Sequence, residues 1–220
     1  MIVEQKDPVT LIGGGAVAAG DLELALALAP FLVAADGGAD RAVAEGHRPQ
    51  AVIGDLDSLS NVVRKQLEPN TLFEIAEQTS TDFHKALRQI AAPVVIAVGF
   101  LGARVDHQLA AFNTLVQVLG SPCILLGDHE IIFHVPSHID LPTRAGDVVS
   151  LFPMDAVTGC STGLKWPLEG LQLSPMGLIG TSNQALGPVS LTMDGPGLLG
   201  IIPRQYLSQL MLQISRAPAW

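Results

Sequence analysis

With 220 residues, 48% of them hydrophobic and 15% charged, the chain can build one large domain or two smaller ones with real cores, and it is not an intrinsically disordered protein. Its formal net charge of -9 excludes broad nucleic-acid binding, which depends on clustered lysine and arginine. An acidic protein can still take a nucleotide where a divalent cation inverts the local field.

The first eight residues, Met1 to Pro8, carry neither a basic n-region nor an apolar h-region. Residues 9–12 read as a strand ending in Gly13-Gly14-Gly15, and residues 21–29 as a helix stopped by Pro30. The longest apolar stretch, residues 24–35, is interrupted by that proline and closed by Asp36. It falls short of the roughly 20 apolar residues that cross a bilayer, so no membrane is expected. Residues 31–35 form a strand running into Asp36-Gly37-Gly38, residues 39–45 a short helix, and residues 51–53 a strand that delivers Gly54-Asp55-Leu56-Asp57-Ser58. A helix near residues 61–67, a strand at 71–75, a helix at 81–90, a strand at 94–98, a long helix at 104–119 and a strand at 123–126 follow. Strands alternating with helices at this spacing predict a mainly parallel sheet covered on both faces. In such sheets ligands sit beyond the carboxyl ends of the strands, where Asp36, Asp55, Asp57 and residues 99–104 all fall.

After about Gly127 the helical period fades. Short β-prone runs at residues 131–135, 148–152, 189–193 and 198–202 are separated by Pro and Gly turns, which predicts a small all-β domain of sandwich or barrel type. Residues 205–214 close the chain as a short helix or a last strand. The domains are therefore expected at 1–128 and 129–220. Two cysteines, Cys123 and Cys160, make no disulfide framework, and the expected location is cytoplasmic.

The polar clusters carry the chemistry. Two carboxylates at a strand end, Asp55 and Asp57, are the hard oxygen donors that magnesium needs when it is shared with phosphates. Gln78 to Lys85 reads Gln-Thr-Ser-Thr-Asp-Phe-His-Lys. Ser80 or Thr81 can cap the helix that begins there, with Asp82 complementing its dipole. Phe83, Leu87 and Ile90 make its core face, whereas Asp82 and Lys85 stand one turn apart on another face. That pair can hold a cation and a phosphate oxygen or simply pair with each other, and spacing alone leaves both open. Arg104 follows a Gly-containing turn at a helix start, where it can fork onto phosphate oxygens or pair with Asp106. On this helix Val105, Leu109, Phe112 and Val116 are the expected buried stripe, with Asp106 and Asn113 on a neighbouring face. Gly13-Gly14-Gly15 suits either a phosphate approach or a tight turn, and it is neither a dinucleotide fingerprint nor a P-loop. His129, His134 and His138 match no standard zinc spacing, and no nucleophile motif is present.

Taken together, these clusters resemble the thiamin pyrophosphokinase family. The resemblance rests on Asp36-Gly37-Gly38-Ala39, Gly54-Asp55-Leu56-Asp57-Ser58, Glu77-Gln78-Thr79-Ser80-Thr81-Asp82-Phe83-His84-Lys85 and Gly102-Ala103-Arg104-Val105-Asp106-His107. Ser161-Thr162-Gly163-Leu164-Lys165-Trp166 and Thr181-Ser182-Asn183 complete it, six weak motifs in one order. It implies an N-terminal α/β domain, a C-terminal β domain and a homodimer with the thiamine site between subunits. It also implies transfer of a pyrophosphoryl group from ATP to the hydroxyl of thiamine, giving thiamine diphosphate and AMP with Mg2+ as cofactor. In that light Asp55, Asp57 and Asp82 would hold magnesium, with Asp57, Asp82, Arg104 and Asp106 as the catalytic set. Asp36, Gln78, Thr81, Lys85, Arg104 and Asn113 would serve ATP, while Trp166 offers a flat face to thiamine and Ser182 and Asn183 bond its polar edge. The departures from the family pattern are Leu56 for Phe, Glu77 for Asp and Ala103 for Gly. A diphosphokinase acting on another heterocyclic alcohol, such as a hydroxymethyl pterin, and a non-catalytic thiamine or nucleotide sensor are the competing readings. Intact carboxylates argue against a sensor, since they would repel one another without a metal.

Overall fold

Runs of β-branched and small apolar residues build the first of two units, Met1–Thr114 and Leu115–Trp220. The computed structural model describes residues 1–102, 104–218 and 220. The first unit contains β1 (Val3–Glu4), β2 (Val9–Ile12), α1 (Asp21–Leu28), β3 (Phe31–Ala35), α2 (Gly38–Ala44), β4 (Ala51–Gly54) and α3 (Asn61–Arg64). A 3-10 turn at Pro69–Thr71 then leads to β5 (Leu72–Glu74), α4 (Asp82–Leu87), β6 (Ile90–Ala91), β7 (Val95–Val98) and α5 (Val105–Gln117). Every residue of β2, β4 and β7 is buried, as expected for parallel strands covered on both faces. Their order is β7-β2-β3-β4-β5, all parallel. The N-terminal α/β unit with a mainly parallel sheet is thus the one its alternating pattern predicts.

Two helices differ from expectation. Phe83, Leu87 and Ile90 are all buried as the periodicity requires, but α4 ends at Leu87 and Ile90 belongs to a strand. The reason is tertiary: the Gln89 carbonyl accepts from the Ile2 and Val3 amides, and β1 then pairs with β6. In α5 the expected stripe is overturned, because Val105 is 74% and Leu109 60% exposed. Ala111, Thr114 and Leu115 are the buried positions instead. A short 3.6-residue period supports either stripe, and the tertiary packing selected the one through Ala111, Thr114 and Leu115.

The second unit contains β8 (Cys123–Leu126), β9 (Glu130–His134), β10 (His138–Leu141), β11 (Val148–Pro153), β12 (Gly159–Leu164), β13 (Gly180–Met193) and β14 (Leu198–Pro203). A 3-10 turn at Arg204–Tyr206 precedes α6 (Leu207–Ile214), which buries Leu207, Leu210, Met211 and Ile214 at helical spacing. All its strand pairings are antiparallel. The long β13 does double duty: residues 180–184 pair with β11, and residues 189–192 pair with β10. β12 lies along the other edge of the later half. β10 and β12 were not legible as strands. The Gly, Ser and Thr residues of β12 read as turn, yet its buried positions alternate because β13 supplies the ladder. Among the described residues, no helix is long and apolar enough to cross a membrane.

His134 gives this unit an acid-sensitive joint. Its Nε2 accepts from the Gly197 amide at 2.8 Å, its ring stacks on Trp220 with centroids 6.4 Å apart, and the Trp220 indole donates to the Val135 carbonyl. Burial lowers its pKa from 6.5 to about 4. Between those values the unfolded chain binds more protons than the folded one, so the stabilisation is complete above pH 6.5 and is lost as pH falls towards 4. The loss should reach roughly 3 kcal/mol. Melting curves from pH 7 to 4 should show a steeper decline for the wild type than for His134→Gln, and equal declines would refute the assignment.

Candidate active site

The strand order places the switch point of the parallel sheet between β2 and β7, where successive connections leave in opposite directions and a crevice opens. The loops after these two strands help frame a cavity of about 490 Å³. Gly14, Gly15, Gly37, Gly99 and Gly102 form much of its wall, with Asp36, Ser58, Thr81, Asp82, Phe100, Arg104 and His107 projecting polar or aromatic groups. Gly15 in this wall and Gly38 beside it are sterically required. A Cβ on Gly15 would lie 2.5 Å from the Gly99 carbonyl oxygen, and one on Gly38 would lie 2.2 Å from that of Ile12. The result is a wall of bare backbone that a phosphate can approach closely.

Asp36 ends β3 in a left-handed conformation with φ 43°. Its Oδ2 accepts from the Ser58 amide at 3.1 Å, while its Oδ1 is buried with no hydrogen-bond partner among the described residues. Burial raises its pKa above the ordinary carboxylate value, and the bonds from Ser58 only partly oppose this. Asp55 and Asp57 follow β4, separated by Leu56 at φ 61°. Leu56 is 7% exposed, so its replacement of the family's Phe is a packing change. Ligand atoms of Asp36, Asp55 and Asp57 lie within 4.8 Å of one another, a grouping that brings Asp36 to the two carboxylates singled out by sequence. Asp82 approaches from α4, and Gly54 makes room for it. A Cβ there would stand 3.2 Å from Asp82 Oδ1 and 2.8 Å from the Asp36 Cβ.

Lys85 settles the ambiguity of the α4 spacing. It is 1% exposed and donates from Nζ to Asp55 Oδ2 at 2.8 Å and to Asp82 Oδ1 at 3.0 Å. Burial alone would lower its pKa, but the two carboxylates outweigh that and raise it. The same bond leads the lowering of the Asp55 pKa, aided by Gln78, whose amide donates to Asp55 Oδ2 at 3.0 Å. Thr81 caps α4 by accepting from the His84 amide. Glu77 organises the approach loop. It accepts from the hydroxyls of Ser80 and Thr79 and from Arg88, and these bonds hold its pKa at about 2.

Arg104 reaches the cavity wall yet is mostly exposed, forking onto Asp106 through Nε at 3.1 Å and a terminal nitrogen at 2.5 Å. This pairing holds Asp106 at about 2, which makes it a weak base at neutral pH. Ala103 lies outside the described residues. Asn113 is exposed on α5 and does not line the cavity.

In the second unit Trp166 is 55% exposed, with the Lys165 ammonium 4.7 Å from its ring centroid. Asn183 is buried and spends its amide on Trp166: Oδ1 accepts from the Trp166 amide and Nδ2 donates to its carbonyl. Ser182, exposed at φ 60°, donates its amide to Ser150 Oγ. Sequence reasoning missed Phe100, whose ring meets Phe83 at 4.3 Å, and the cavity role of Ser58. Ser58 stood inside the Gly-Asp-Leu-Asp-Ser motif and was legible there, whereas nothing local marked Phe100.

A parallel α/β unit with a glycine-walled, carboxylate-bearing crevice at its switch point, joined in sequence to an antiparallel β unit, is the architecture of a two-unit enzyme with its ligand crevice in the first unit. Residues 22–125 match the family model described as thiamin pyrophosphokinase, catalytic domain, and residues 132–198 match that of the thiamin pyrophosphokinase vitamin B1 binding domain. The chain belongs to the thiamin pyrophosphokinase family. It is 32% identical to thiamine pyrophosphokinase 3 of Oryza sativa subsp. japonica, with 69% of each chain covered. Among solved structures, the thiamin pyrophosphokinase from Candida albicans superposes with a TM-score of 0.75 at 16% identity, covering 91% of this chain and 92% of that one. The Bacillus subtilis thiamine pyrophosphokinase superposes with a TM-score of 0.70 at 21% identity, covering 90% and 98%.

Proposed function

We propose that the chain transfers a pyrophosphoryl group from ATP to the hydroxyl of thiamine, yielding thiamine diphosphate and AMP in a magnesium-dependent reaction. The observation that carries this reading is the group Asp36, Asp55 and Asp57, with one buried Asp36 oxygen left unpartnered beside a glycine wall. The residues fit magnesium. They are hard oxygen donors, they converge, and the Asp36 Oδ1 has no donor among the described residues. Asp55 and Asp57 would hold the ion, flanked by Asp36 and Asp82, and a magnesium ion held there supplies positive charge to phosphate oxygens.

The remaining chemistry is positioning and charge compensation, as phosphoryl-type transfer requires. The glycine wall admits the phosphate chain to backbone amides. Arg104, exchanging Asp106 for phosphate oxygens, would offset the charge that develops on the leaving AMP. Thr81 on the wall and Gln78 beside Asp55 would fix the approach. Asp57 or Asp106, the latter released when Arg104 turns to phosphate, would accept the thiamine hydroxyl proton. Trp166 would seat the cationic thiazolium, with Asn183 fixing its backbone and Ser182 alongside. A homodimer that brings Trp166 of one protomer to the carboxylates of the other is supported by the exposure of Val105, Leu109 and Met176, the last at 99%. A cytoplasmic setting is supported by the free, exposed Cys160.

The direct test measures AMP release from ATP and magnesium with and without thiamine, with the product identified by mass. Thiamine-dependent AMP and a thiamine adduct heavier by a diphosphate are expected. AMP formed only with another heterocyclic alcohol would move the assignment to that acceptor, and ATP binding without AMP release under any acceptor would refute it.

A further inference from the structure

We propose that Lys85 is the built-in counter-ion of the carboxylate group, a positioning residue that holds Asp55 and Asp82 in place rather than a ligand for phosphate. The inference rests on reading that group as a cation site. Three features carry it. The Lys85 side chain is almost wholly enclosed, at 1% exposure, and its ammonium bonds two carboxylates from different elements at 2.8 and 3.0 Å. From the start of α4 it is Thr81, Asp82 and Phe83 that line the cavity, and Lys85 does not. To serve as a phosphate ligand its ammonium would have to leave both partners, taking from the largely enclosed Asp55, 12% exposed, its charge partner.

The role follows from electrostatics. Asp36, Asp55 and Asp57 sit close enough to repel one another, and Asp82 adds to this at Asp36. Without a divalent cation, one fixed ammonium is what keeps Asp55 and Asp82 drawn together. When a cation binds, the carboxylates are already collected and little rearrangement is needed. Lys85 therefore trades some electrostatic attraction for the cation against a preformed site.

Thermal melting of Lys85→Met with and without 10 mM magnesium chloride, nucleotide absent, tests this. The metal-free variant should melt several degrees below the wild type, and magnesium should raise its melting temperature by clearly more than it raises that of the wild type, because the cation replaces the missing charge. At saturating magnesium the ATP KM should stay within about threefold of wild type, while kcat falls at least tenfold. An equal deficit with and without magnesium would overturn the proposal, as would failure to fold at either magnesium level. A rise of more than tenfold in ATP KM with a wild-type magnesium response would assign Lys85 to phosphate instead. Lys85→Arg keeps the charge and should show the wild-type response; an enlarged response there would make shape the cause and overturn the role. No magnesium response in any of the three proteins, wild type included, would remove the cation site itself and this role with it.

Discussion

Asp82→Asn should lower the rate of the proposed pyrophosphoryl transfer by about 10²- to 10⁴-fold and leave the fold intact. Asparagine keeps the shape of Asp82, and its Oδ1 can still accept from Lys85, so the buried ammonium retains both partners. What disappears is a negative charge on the cavity wall beside Asp36, Asp55 and Asp57. The expected stability change is about 1 kcal/mol, from a weakened ion pair and a weaker match to the helix dipole. Single-turnover kinetics beside a circular-dichroism melt separates the effects. Unfolding of the variant would reduce Asp82 to a helix-start residue, and unchanged turnover would remove it from the chemistry.

Trp166→Ala should raise the thiamine KM by roughly 5- to 30-fold, the equivalent of a desolvated cation on an indole face, and leave the ATP KM within twofold. The indole is half exposed, yet its backbone is clamped on both sides by the Asn183 amide, so the ring is held out without a packed core beneath it. Its face already accepts a cation, the Lys165 ammonium at 4.7 Å. Thiamine would displace that ammonium, and Trp166→Phe should retain part of the affinity. A thiamine KM indifferent to both substitutions would exclude Trp166 as the platform.

Much of the first unit was legible because its elements are governed by local rules. Residues 31–35, and in the second unit residues 123–126, match their strands end to end, since uninterrupted apolar runs bounded by Pro, Gly or Asp have few alternatives. The carboxylates were legible for the same reason: Asp55 and Asp57 end a strand, and strand ends in parallel sheets face the ligand. The side chain of Asn183 was read as ligand-facing, but it turns inward to the Trp166 backbone, a contact 17 residues away in sequence that no local pattern announces.

The sequence by itself determined the alternation of strand and helix, the change to β texture near Gly127, and the ordered motifs that mark the family, because each depends on residues near one another along the chain. Only the tertiary structure decided that Asp36 joins Asp55 and Asp57, that Lys85 is buried between Asp55 and Asp82, and that Val105 and Leu109 face outward. Those outcomes depend on which elements meet across the fold. A lysine one turn from an aspartate is an ordinary exposed pair until a second carboxylate, 30 residues away, closes over it.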